Sequence, residues 1–247
     1  MNVNPASATG LGPTLREWCY PAFCAGCEDR LPPGLHALCP ACRYEAFSAS
    51  AREWTYLPQS VRFVDVLWNF DKGSGLQDLL HRLKYARQPG IGVELGQCVG
   101  QQLIPSMLES NGLQAESCLL LPVPAHKARK RRRGYNQAER IACGIAQATG
   151  IEMCPESDVL RNRNTRSQTG LSEAQRARNM KDVFQIADPE GFCVRRRDRT
   201  IVIVDDVITT GATVFALADL LHGLGKGDDA RGERGLGGVG AVGVASG

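Results

Sequence analysis

The run IVIVDDVITTGATV (201–214) constrains this chain more than any other stretch. Four β-branched residues form a strand and two adjacent carboxylates follow, Asp205 and Asp206. Small residues then open a helix whose apolar positions, Val214, Leu217 and Leu221, face inward as far as an expected stop at Gly223. Like charges side by side repel, so structure alone gives little reason for the acidic pair, whereas a ligand offering hydroxyls, a metal ion or phosphate oxygens gives one. Backbone N–H groups at a helix N-terminus, unobstructed at Gly211 and Ala212, point at an anion, and the hydroxyls of Thr209, Thr210 and Thr213 add donors. The carboxylates suit sugar hydroxyls, or a hydrated Mg²⁺ shared with them. A ribose 5-phosphate satisfies both halves. GxxxxGK[ST] does not occur, which argues against a P-loop nucleotidase.

Strands and helices alternate on either side of this stretch. VRFVDVLWNF (61–70) is strand-like. SGLQDLLHRLKY follows as a helix with a Ser74/Gln77 capping pair and one apolar face of Leu76, Leu79, Leu80 and Leu83. A second helix runs through GVELGQCVGQQL, and SCLLLPVP (117–124) is a buried strand ended by prolines. Asn136 caps a third helix, with Ile141 and Ile145 inward and Gly150 closing it. Residues 161–181 have no apolar periodicity and are expected to form a long polar loop running into a short helix. DVFQI and TIVIV are strands. The pattern predicts a parallel sheet covered on both faces, with ligands outside the carboxyl ends of its strands, where Asp205 and Asp206 fall. Ten of the last 25 residues are Gly. There VGAVGVA is open between a weak strand and an irregular tail, and GLGGVG, with no helix after it, is a chance match to a dinucleotide fingerprint.

Four of ten cysteines fall as CAGC (Cys24, Cys27) and CPAC (Cys39, Cys42). Two Cys-x-x-Cys turns supply the four thiolates of a tetrahedral Zn²⁺ site. Without an export signal, disulfides are the weaker alternative. So short a module buries almost no core, so metal binding is expected to provide most of its folding free energy. Cys98, Cys118, Cys143, Cys154 and Cys193 share no ligand spacing and read as small buried hydrophobes.

The formal charge is only +3, but basic residues cluster: six within 127–133, more in VRRRDR (194–199), and six between Arg161 and Lys181 against the single acid Glu173. A charge run is ordinarily a solvated surface; three in one chain point to an anionic ligand. For single-stranded DNA, Lys127, Arg131, Arg132 and Arg133 offer phosphate contacts and Tyr135 a stacking ring. The four histidines do not cluster and read as surface or capping residues. The N-terminus lacks the basic and apolar regions of a signal peptide, and no apolar run approaches the ~20 residues that span a bilayer. The expectation is a cytoplasmic protein with no membrane insertion.

IVIVDDVITTGAT resembles the 5-phosphoribosyl-1-pyrophosphate (PRPP) motif of type I phosphoribosyltransferases. The four-Cys knuckle, LKYARQPG, LPVPAHKARKRRRGYNQAERIA, RNTRSQTGLSEAQRARNMKDVF and VDDVITTGAT, in this order, are similar to the ComF-like competence family over roughly 19–222. That resemblance implies an α/β, type I phosphoribosyltransferase-like parallel sheet flanked by helices. It divides the chain into a flexible N-terminus (1–18), a zinc-ribbon-like module (19–50), the main domain (51–222) and a Gly-rich, partly disordered tail (223–247). It further implies that Asp205 and Asp206 hold ribose hydroxyls and Thr209, Thr210, Gly211, Ala212 and Thr213 the 5-phosphate. The loop after LPVP would face pyrophosphate, 161–181 would form a hood, and Arg166, Arg176 and Arg178 would stabilise charge there beside Mg²⁺. The Gly-rich tail departs from the family, whose core closes with a more regular strand.

Two functions follow. One is a competence protein that binds a phosphoribosyl ligand or single-stranded DNA, with other competence proteins as partners. The other is a working phosphoribosyltransferase, a glycosyltransferase of nucleotide synthesis or salvage. Glutamine-dependent amination is not expected, since the sequence has no room for a glutaminase domain.

Overall fold

The computed structural model describes residues 21–45, 47, 49, 53–71, 73–162, 183–229 and 238–246. Its centre is a parallel four-stranded sheet in the order β1 (Val64–Asn69), β6 (Val239–Ser246), β5 (Thr200–Ile208), β2 (Cys118–Pro122). Neighbouring residues of these strands turn to opposite faces, and both faces are buried, which is why the strands read as unbroken apolar runs. On one face Leu120, Val202, Val204 and Val242 pack with α2 (Gly75–Tyr85), α3 (Pro89–Gln102) and α6 (Gln137–Thr149). On the other, Leu119, Leu121, Ile201 and Ile203 pack with α8 (Ala212–Asp229), α7 (Pro189–Arg196) and the antiparallel pair β3 (Val159–Arg161) and β4 (Phe184–Ile186).

The helix signals hold locally. Ser74 caps α2 by accepting from the Gln77 N–H, and Leu76, Leu79, Leu80 and Leu83 are its buried residues. Each such leucine contributes about 1.5–3 kcal/mol. Asn136 occupies the N-cap of α6, but its side chain makes no cap bond; its amide donates instead to the Val123 carbonyl at 3.0 Å. α3 and α6 cross at contact distance because Gly96 and Gly144 face each other's backbone. A Cβ on Gly96 would lie 2.0 Å from the Ile141 oxygen, and one on Gly144 2.0 Å from the Val93 oxygen.

Other readings change. Gly223 does not stop the last helix, which runs to Asp229. The strand after Thr200 does not end before the acidic pair but carries it, continuing to Ile208. The basic run at 127–133 is a short helix, α5 (Lys127–Arg133), not a loop. A helix α4 (Ile104–Asn111) also follows α3. Above all, VGAVGVA forms β6, hydrogen-bonded between β1 and β5, so the main domain does not end at 222 and this part of the Gly-rich segment is the sheet's interior. Its glycines admit neighbours: a Cβ on Gly240 would lie 2.2 Å from the Phe63 ring.

The cysteine-bearing segment, including α1 (Cys42–Glu45), docks on α2 and α3. Cys24, Leu31, Ala37 and Leu38 belong to the same apolar cluster as the leucines of α2, which corrects the expectation that the module buries almost no core. A Cβ on Gly75 would strike the Ala25 oxygen at 2.3 Å, so glycine there permits the docking. The buried Glu94 of α3 accepts from the backbone N–H groups of His36, Ala37 (3.1 Å) and Leu38 (3.4 Å). No described helix is long and apolar enough to cross a membrane.

Candidate functional site

After β2, the chain passes through α6 and bridges Met153 to Leu120, outward from the sheet; after β5 it passes through α8 to β6, on the opposite side. The carboxyl ends of β2 and β5 therefore flank a topological switch point, where neighbouring connections diverge and leave a crevice. A cleft of about 690 Å³ opens there. β2 stops at Pro122, opposite Val204, so Asp205 and Asp206 project beyond its end into the cleft floor. Val123 to Ala125, α5, the start of α6, Arg161 of β3 and the last turn of α2 complete the walls.

The two carboxylates are held differently. Asp206 pairs with the Lys84 ammonium at 2.6 Å, and its other oxygen accepts from the Val207 N–H at 3.0 Å. Burial would raise its pKa, but the Lys84 charge and hydrogen bond outweigh this and hold it below the usual range. Asp205 accepts from the Asp206 N–H at 2.9 Å; burial and the neighbouring carboxylate push its pKa up to about 8. At neutral pH the pair thus carries about one negative charge, balanced by Lys84, and Asp205 offers a proton for hydrogen bonding. A smaller cup of about 90 Å³ adjoins the cleft at Asp205, formed by Val207–Val214 and including Thr209, Thr210, Gly211, Ala212 and Thr213. Gly211 has φ +74° and lies against the Phe215 ring, where a Cβ would approach to 2.4 Å. Only glycine fits that turn into α8.

Helix α5 places Arg129, Arg132 and Arg133 at the cleft, whereas Lys127, Lys130 and Arg131 are not part of its lining. Lys127, Arg131 and Arg132 are exposed, Lys130 is paired with Glu156, and the Arg133 guanidinium donates to Gln137 at 2.6 Å. Gly134, at φ +88°, ends the helix and turns Tyr135 inward, where its hydroxyl donates to the Leu83 carbonyl. Tyr135 is buried, so it offers no stacking face. The exposed ring at this rim is Tyr85, 57% accessible, with the Arg132 and Arg133 guanidinia 5.9 and 5.5 Å from its centroid. The VRRRDR run is not wholly an anion-binding surface either. Arg196 is buried against Asp158 and 3.0 Å from the Cys154 sulfur, and Arg199 pairs with Glu152 at 2.6 Å.

Cys24, Cys27, Cys39 and Cys42 converge, all four Sγ lying within 4.8 Å of one another. The Cys24 sulfur accepts from the N–H groups of Gly26 (3.4 Å) and Cys39 (3.3 Å), and the Cys39 sulfur from that of Cys42 (3.4 Å). Burial opposes a charge on Cys24, yet these donors outweigh it and lower the thiol to about 7. Cys27 and Cys42 are shifted the other way, Cys42 up to about 12 by burial and its neighbouring sulfurs, as expected where thiols crowd together. Four convergent sulfurs, two of them accepting backbone N–H donors, fit a metal ion of the Zn²⁺ type. Cys98, Cys118 and Cys154 are buried as expected, whereas Cys143 and Cys193 are only partly so.

Arg166, Arg176 and Arg178, with the hood expected around them, lie outside the described residues. The sequence reading passed over Lys84, Tyr85, Arg129 and Arg161, which line the cleft, and Glu94, which ties the module to α3. Lys84 and Tyr85 had one available signal: they directly follow the inward Leu83 at the end of an amphipathic helix, so one of them must emerge at the edge of the sheet.

A parallel-sheet α/β protein with a four-cysteine module docked on one helical face is the class this architecture defines. No protein-family model matches the chain. It is, however, 30% identical over 184 residues to the DNA utilization protein YhgH of Shigella flexneri, covering 74% of this chain and 77% of that protein. YhgH of Salmonella typhimurium is 31% identical over 186 residues, 75% of this chain and 78% of its own. Competence protein F of Haemophilus influenzae is 37% identical over 106 residues, 43% and 44% of the two chains. The chain belongs to this ComF-like family.

Proposed function

We propose that this chain acts in DNA utilisation or competence, as its relatives' names describe, through a site that binds PRPP or a related phosphoribosyl ligand with Mg²⁺. The observation that carries the reading is the acidic pair at the switch point, with the Thr209–Thr213 cup beside it and a cationic helix opposite. In this reading the 5-phosphate enters the cup, Asp205 and Asp206 take the ribose hydroxyls, and the α5 arginines face the pyrophosphate. Asp205 and Asp206 would hold Mg²⁺, which would supply neutralising charge for the diphosphate, and for Asp206 this requires Lys84 to release it. If the site also turns over, an acceptor forms a bond to the ribose C1 as the C1–oxygen bond breaks, and pyrophosphate leaves with that electron pair. Arg166, Arg176 and Arg178 are the proposed charge stabilisers for that step. The cysteine centre holds structural Zn²⁺.

Calorimetry with PRPP and Mg²⁺ tests the reading. Wild type should bind, and the Asp205→Asn/Asp206→Asn double variant should lose binding while remaining folded. Equal affinity in both would make the acidic pair structural. Release of pyrophosphate across a panel of bases and amines reports catalysis separately.

A second reading, single-stranded DNA along α5, is favoured by the exposure of Lys127, Arg131 and Arg132. It predicts a log–log salt dependence of about −0.7 per phosphate contacted, flattened when Arg131, Arg132 and Arg133 become Ala. Anisotropy with a labelled oligonucleotide over a salt series measures it.

A further inference from the structure

Resting on the phosphoribosyl reading, we infer that Tyr85 is the stacking surface for a nucleobase ring, so that the cleft takes a base joined to a sugar phosphate. Tyr85 ends α2 directly after Lys84, whose ammonium is on Asp206. A ring on Tyr85 and a sugar at the acidic pair are therefore one residue apart along the same helix. Tyr85 lines the cleft yet leaves more than half of its surface to solvent, the one large exposed aromatic among the described cleft residues. Its ring is already approached by two guanidinia and, at 4.7 Å and 42°, by the His81 ring. Planar groups with delocalised electrons thus reach this ring in the free protein. A base presents the same kind of plane and gains in the same way. The remaining wall suits a flat ring as well, being small and apolar at Val123, Pro124, Ala125, Ala128 and Ala138. A cleft built for pyrophosphate alone needs the cations but not the aromatic face.

The base can come from a mononucleotide or from a strand, and three probes separate these. The full chain and its Tyr85→Ala and Tyr85→Phe variants are titrated with ribose 5-phosphate, AMP and a ten-residue oligodeoxyadenylate. Tyr85→Ala should weaken AMP, the oligonucleotide or both by roughly tenfold while leaving ribose 5-phosphate unchanged. Tyr85→Phe, which keeps the ring and loses the hydroxyl, should restore the affinity. Loss on AMP assigns the site to a nucleotide, and loss on the oligonucleotide alone assigns it to a strand. If neither base-bearing probe weakens, or neither binds wild type, the inference is overturned. Failure of PRPP with Mg²⁺ to bind, with Tyr85-dependent binding of AMP or the oligonucleotide, overturns the phosphoribosyl reading but not this one. Thermal melting of each variant confirms that the exposed position leaves the fold intact.

Discussion

Asp205 shows how one residue records a conflict between fold and ligand. Its strand position is fixed by the ladder to Gly243, while burial and Asp206 disfavour its charge and raise its pKa to about 8. A carboxyl whose folded pKa is raised binds its proton more tightly in the native than in the unfolded state. Its contribution to stability is therefore lost as pH rises from the unfolded value near 4 through about 8, and is constant above that. Asp205→Asn removes this dependence. The variant should melt higher than wild type, with an advantage that grows between pH 4 and 8 and then levels, on the order of 1 kcal/mol or about 2–4 °C. Melting curves across pH 4–9 check it; an advantage largest at acid pH would show that the carboxylate is stabilised, not strained. The arginines teach a related lesson. Arg196 and Arg132 are both members of basic runs, yet one is buried on Asp158 and the other is exposed at the cleft. Charge runs in sequence do not distinguish the two, because the difference lies in which partner the fold brings near.

Among the elements, α2 is the most legible and α7 the least, for physical reasons. Four leucines at helical spacing and a serine cap dictate α2 without help from the rest of the chain. In α7 the Asp188 cap and Pro189 were present as signals, but the arginines that follow obscured an inward face whose Phe192 is fully buried. Tyr135 follows the basic run directly, but the positive-φ turn at Gly134, which reverses its direction, is a backbone fact that composition does not carry. The cysteine module was legible as a ligand set and misread as a separate body. Its docking on α3 makes a prediction. Cys39→Ser should lose bound metal by elemental analysis and should also lower the melting temperature of the whole domain, since Leu38 shares the α2 cluster. Glu94→Ala removes a charged acceptor from three backbone donors and should destabilise by about 1.5–3 kcal/mol while keeping all four sulfurs. Faster zinc release to a colorimetric chelator, with full initial loading, is the expected signature.

At the scale of the whole molecule, the sheet depends on its least conspicuous strand. β6 is the only strand joining β1 to β5 among the described strands. Its glycines are required by Phe63 and Ile208, which pack where side chains would otherwise stand. Gly-rich composition ordinarily signals irregular chain, so this part of the fold was not legible without its neighbours. Deleting 238–247 should abolish the cooperative melting transition, and Gly240→Val should cost about 1–3 kcal/mol by overpacking against Phe63. A sharp transition in the truncated chain, followed by circular dichroism, would contradict the central placement. The same order has a consequence for biosynthesis. β1 leaves the ribosome roughly 170 residues before β6, an interval of about 10–30 s at elongation rates of roughly 5–20 residues per second. Through that interval β1 presents unpaired backbone to everything around it, and over roughly the last 30 residues the inner edge of β5 does so too. A nascent chain with such edges is expected to gain from holding chaperones until its last strand emerges, so that slower translation of the Gly-rich stretch should lower the yield of folded protein.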